Sequence, residues 1–121
     1  QVMVDMFKGV KKVQAHLADV QHTEFVAVTI PEAMGIYETE RFLASLDTMR
    51  VPCHRLVVNM VVPPTDCAFC QVKRTEQQGY IAGLRRQFPQ YAVTELPLFP
   101  HEIRGLTGLG EVGDVLYGGV A

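Results

Sequence analysis

Three short, largely apolar runs, the first of them mostly β-branched, are each flanked by segments of helical periodicity. That alternation restricts the fold more than any other feature. The runs are TEFVAVTI (Thr23–Ile30), CHRLVVNMVV (Cys53–Val62) and Tyr91–Leu96 within YAVTELPLF. Around them, Met6, Val10, Val13, Leu17 and Val20 recur at helical spacing over Val4–Val20. A second amphipathic stretch, Gly35–Met49, gathers Ile36, Phe42, Leu43, Leu46 and Met49 on one side. A polar helix is expected over Gln71–Phe88, with its apolar residues gathering at Ile81 and Leu84, and a glycine-broken one over Leu106–Tyr117. Pro31 and the Pro63–Pro64 pair end the first two strands. The order α-β-α-β-α-β-α implies parallel pairing through right-handed crossovers, an α/β parallel-sheet fold. Strands this apolar read as buried on both faces. Three such strands make a thin sheet, so we expect residues 1–121 to be part of a larger doubly wound fold, with a strand edge built to meet others.

A chain of 121 residues that is 48% apolar and 20% charged suits one globular domain with a real core. Its formal charge of −2 gives no electrostatic reason to expect nucleic acid as a partner. No run approaches the ~20 apolar residues of a membrane span, and no signal-peptide pattern is present. Cys53, Cys67 and Cys70 are too few for a disulfide scaffold, so a reducing, cytoplasmic setting is expected, with Cys53 a buried free thiol. The sequence opens on Gln1 rather than Met, which fits a fragment or a trimmed chain.

Ligands of open α/β sheets bind at the carboxyl ends of the strands. Those ends carry Ile30-Pro31-Glu32, Val58-Asn59-Met60 and the turn Pro97, Leu98, Phe99, Pro100, His101, Glu102, Ile103, Arg104, Gly105. The Asn59 amide holds a donor and an acceptor in one plane, matching the adenine edge, where an amino donor sits beside a ring-nitrogen acceptor. It can equally satisfy loop backbone at a strand end. Glu32 can cap the next helix, bond a ribose or stay solvated. The two prolines around Leu98 and Phe99 stiffen a turn whose backbone could hold a flat ring at little ordering cost. Arg104 can meet a phosphate, or pair with Glu102.

Cys67 and Cys70 form a Cys-x-x-Cys with no histidine near it in sequence. Three readings stay open: half of a metal site, a redox couple at a helix start, or two idle thiols. A structural zinc takes four ligands, and a twofold axis through the ion would supply the missing pair from the same cysteines of a second copy. Two further patterns are set aside. GLGEVG (Gly108–Gly113) fits a dinucleotide fingerprint, but no acidic residue follows at the required distance. FKGVKK (Phe7–Lys12) lacks the glycines and hydroxyl of a phosphate loop and reads as the basic side of the first helix.

Taken in order, TEFVAVTIPEAMGIYETERFLASL, VVNM, Cys-x-x-Cys and LPLFPHEIRGL resemble the carboxyl-terminal third of the arsenical-pump ATPases and their relatives that target tail-anchored membrane proteins. The resemblance covers about Met6 to Tyr117. It implies a cytoplasmic, dimeric P-loop ATPase of the deviant Walker class, using ATP and magnesium. Asn59 matches the family's adenine contact, Glu32 a nucleotide-site glutamate, and Pro97–Arg104 the adenine loop. Cys67 and Cys70 match the pair that binds one zinc across the dimer. The implied partners are a second copy and either a membrane transporter of arsenite or a tail-anchored client. The phosphate loop and the switch segments have no counterpart here, so this segment alone is expected not to hydrolyse ATP. The rival reading is a non-enzymatic, metal- or redox-responsive α/β interaction module.

Overall fold

The computed structural model describes residues 1–118. Its elements run α1 (Val2–Ala18), β1 (Phe25–Thr29), α2 (Ala33–Thr48), β2 (Cys53–Val61), α3 (Ala68–Gln87), β3 (Ala92–Pro97) and α4 (Gly105–Tyr117). The expected order holds. The strands form one all-parallel sheet in the order β1-β2-β3, with Ala27 beside Leu56 and Leu56 beside Val93. All three carboxyl ends therefore meet at one edge.

The core forms where two periodicities meet. Ala27 and Thr29 on β1 and Leu56 and Val58 on β2 point to the same side of the sheet. Thr39, Leu43 and Leu46 of α2, and Gln77, Ile81 and Leu84 of α3, repeat one i, i+4, i+7 stripe against that side. Leu56, Val58 and Leu84 are 0% exposed, each contributing about 1.5–3 kcal/mol of burial. Helix α2 ends in a Schellman turn: Val51 N–H donates to Leu46 C=O at 2.9 Å and Arg50 N–H to Asp47 C=O at 3.0 Å. Arg50 takes the left-handed position there, at φ +58°.

Burial departs from expectation at three points. Only β2 is buried on both faces; Val28 on β1 is 63% exposed and β3 is half-buried along most of its length. The second face of β1 is as apolar as the first, but α2 and α3 cover only one, and among the described residues nothing covers the other. Cys53 is half-buried against the core rather than enclosed. Helix α3 begins at Ala68 rather than Gln71, because Cys67 caps it and draws Cys70 into its first turn. Helix α4 is continuous through its glycines, so GLGEVG is helical and forms no phosphate-binding turn. No described helix is long and apolar enough to cross a membrane.

Candidate functional site

At the tip of β1, Glu32 is the N-cap of α2 and makes no side-chain capping bond, which leaves its carboxylate uncommitted there. The turn is tight. Thr29 Oγ1 and Thr39 Oγ1 donate to Gly35 C=O at 3.1 and 2.7 Å, and a Cβ on Gly35 would lie 2.6 Å from Ile30 O. Glycine is required at position 35 for this close approach.

At the tip of β2 the ladder to β3 is irregular. Val58 pairs with Glu95 and Val61 with Pro97, so β2 spends one more residue than β3 between the two pairs, a β-bulge. Within it Met60 has φ +61°, a conformation that costs a side-chain-bearing residue about 1–2 kcal/mol. Met60 N–H donates to Asn59 Oδ1 at 2.9 Å. Asn59 thus does satisfy local backbone. One amide oxygen lone pair and both Nδ2 hydrogens remain for a ligand.

Beyond β3, Leu98 N–H donates to Val61 C=O at 2.8 Å, tying the Pro97–Arg104 turn to β2. The rings of Phe99 and His101 lie 6.3 Å apart, and His101 Nε2 is 2.9 Å from Glu111 Oε2 on α4. Pro100 is exposed. Ile103 packs beneath Gly108, and Gly105 turns the chain at φ +68°. Arg104 pairs with Glu102 at 2.9 Å, both side chains strongly exposed, so the internal contact is the one formed.

Two of the cavities along this edge adjoin. One, of about 290 Å³, is lined by Thr29, Ile30, Gly35, Glu38, Thr39 and Asn59. The other, of about 150 Å³, is lined by Glu32, Met60, Lys73, Gln77 and Leu98, and Ile30 borders both. The strand tips thus place Asn59 on the first cavity and Glu32 and Leu98 on the second, while Pro97 and Phe99–Arg104 line neither. Gly35, Lys73 and Gln77 lie outside the residues that the sequence singled out, and Met60, placed at the β2 tip, takes a left-handed turn that the sequence does not foretell. A polar residue inside the apolar 77–81–84 stripe was the available signal for Gln77; nothing in the sequence marks the turn at Met60.

The cysteine pair sits at the start of α3. Cys67 Sγ accepts from Cys70 N–H at 3.4 Å, and Cys67 N–H donates to Thr65 Oγ1 at 3.1 Å. The Cys70 backbone N–H, then its thiol, hold the Cys67 thiol below its ordinary value. Donation to Cys67, then partial burial, pushes Cys70 up. Among the described residues no group of three or more His, Cys, Asp or Glu could hold a metal ion. Cys67 and Cys70 thus stand together as two free thiols at the start of α3.

The sequence family described as anion-transporting ATPase matches residues 1–118. The chain is similar to ATPase GET3B of Arabidopsis thaliana, 41% identical over 110 residues, covering 88% of this chain and 27% of that protein. ATPase GET3C of the same plant is 39% identical over 111 residues, covering 88% and 28%. ATPase get3 of Schizosaccharomyces pombe is 31% identical over 121 residues, covering 93% and 37%. The chain thus spans between about a quarter and two fifths of the length of these curated relatives.

Proposed function

The chain belongs to the anion-transporting ATPase family, and on that premise we propose that it is the base-recognising, carboxyl-terminal part of a dimeric ATPase. The observation that carries this reading is the convergence of Glu32, Asn59 and Leu98 on the adjoining cavities at the carboxyl edge of a parallel sheet. In this reading the Asn59 amide meets the amino and ring-nitrogen edge of adenine. The Pro97–Arg104 backbone lies along the ring, and Glu32 faces the sugar. Phosphate binding, magnesium and the attacking water belong to polypeptide beyond this segment, so the segment alone does not turn over ATP.

The two thiols of Cys67 and Cys70, joined by the same pair of a second copy, complete a four-thiolate set for one zinc. The ion, when bound, supplies a fixed link between subunits. Hydrolysis would then move the nucleotide ends of the dimer about that link, in the cytoplasm, to drive arsenite transport or the delivery of a tail-anchored client. The family match over nearly the whole chain favours this reading over a free-standing metal- or redox-responsive module.

Photolabelling the full-length protein with 8-azido-ATP, followed by peptide mapping, tests the proposal. Label is expected in peptides containing Asn59 or Pro97–Arg104. Label confined to other segments contradicts it.

A further inference from the structure

We infer that Gln77 is a positioning residue for base recognition: from α3 it clamps the Asn59–Met60 bulge in the turn that presents the Asn59 amide. The inference rests on the purine reading above and deepens it.

Gln77 stands where an apolar residue belongs. It shares the buried stripe of α3 with Ile81 and Leu84 and is itself 6% exposed. An amide in such a place is costly unless both its ends are bonded. Here both are. Gln77 Oε1 accepts from Val62 N–H at 2.8 Å, and Nε2 donates to Met60 C=O at 3.1 Å. One side chain thus supplies the donor and the acceptor that a neighbouring strand would supply to residues 60 and 62. It does so at the bulge, where the ladder to β3 breaks register. Arg74, one turn earlier on α3, adds a bond to Val62 C=O.

What the clamp holds is a conformation methionine rarely adopts. A left-handed, non-glycine residue persists only where its surroundings over-determine it. Met60 is held at both ends, its C=O by Gln77 and its N–H by Asn59 Oδ1. The second bond has a consequence for the ligand. An N–H can be met only by oxygen, so the Met60 N–H decides which end of the Asn59 amide faces the backbone and which end faces the cavity. If Met60 relaxed to an ordinary strand conformation, the amide would lose that constraint. Packing alone calls for leucine or methionine at position 77. The amide has a purpose only if the bulge must be kept.

The test measures ATP and GTP affinity, with magnesium, for the full-length protein by calorimetry. Wild type is expected to prefer ATP by about tenfold, the discrimination one planar amide pair provides, and Asn59→Ala to bring the ratio close to one. Gln77→Met, which keeps the volume and removes both bonds, is expected to lose most of that preference by weakening ATP and leaving GTP unchanged. Met60→Val, at a half-exposed position where folding is not at stake, is expected to do the same, because a β-branched residue resists the left-handed turn. Met60→Gly, free to adopt the turn, should lose less. If Asn59→Ala abolishes the preference while Gln77→Met and Met60→Val keep it, the clamp is overturned and the purine site stands. Equal loss of ATP and GTP binding in those two variants also overturns it, by showing a purely structural role. Equal affinities in wild type, or a ratio that Asn59→Ala leaves unmoved, removes the purine site and the clamp together.

Discussion

Helices α1 and α3 differ little in length, 17 and 20 residues, and are held in different ways. Helix α1 carries the cleaner apolar stripe, with Met6, Val10, Val13 and Leu17 on one side, yet none of its residues is buried. Helix α3 is the more polar, yet it buries Ile81 and Leu84 and fixes the sheet through the amide of Gln77 and the guanidinium of Arg74. An apolar stripe states that a face should be covered and leaves open what covers it. A single polar residue in the right register can bind a helix to a strand more specifically than a row of valines.

The sharpest contrast should come from truncating the two stripes. Leu84→Ala is expected to destabilise the chain by about 2–5 kcal/mol, the range for emptying a filled core position. Val13→Ala on α1 should stay within about 0.5 kcal/mol, since Val13 is exposed. Urea denaturation of the 121-residue chain checks both, and a large loss at Val13 would break the comparison. A second substitution extends it to α2. Gly35→Ala pushes a methyl into the Ile30 carbonyl and is expected to cost about 1–3 kcal/mol in the same assay.

The start of α3 separates capping from metal binding. Cys67→Ala removes the cap on Cys70 N–H and should cost about 1 kcal/mol, whereas Cys67→Ser keeps an acceptor and most of that stability. If the proposed shared site holds, both substitutions should abolish the metal content of the full-length protein, expected at about half a zinc per chain. Elemental analysis beside a denaturation curve checks this, and one zinc per monomer would contradict the shared site. One substitution should bring a gain. Arg50→Gly relieves the left-handed C-terminal turn of α2 and should stabilise the chain by up to about 1 kcal/mol, read as a raised melting temperature.

Much of this architecture was legible in the sequence. Short, near-continuous apolar runs and stripes of period 3.6 place every strand and helix within a few residues, and the parallel order follows from their alternation. The β1 strand shows where that reasoning fails. Val26 and Val28 look as buried as Ala27, because composition does not reveal how many helices a sheet face will receive. The early start of α3 was hidden because cysteine is not among the usual capping residues, although its sulfur accepts a backbone N–H here. At the candidate site, Glu32 and Asn59 could be singled out as polar residues at strand tips. The left-handed Met60 could not, since a methionine in an apolar run promises a regular strand and the glutamine bonded to the bulge lies 17 residues further along the chain. For Arg104 the sequence left a phosphate and Glu102 both open, and it is the pair with Glu102 that forms.

On the proposed function, the carboxyl edge of this sheet grips a purine. A crystal structure of the full-length protein with ADP tests it most directly. The adenine amino and ring nitrogens are expected within about 2.7–3.2 Å of the Asn59 amide, with the ring against the Pro97–Arg104 backbone. Adenine bound elsewhere, with the Asn59 amide facing only solvent, would contradict it.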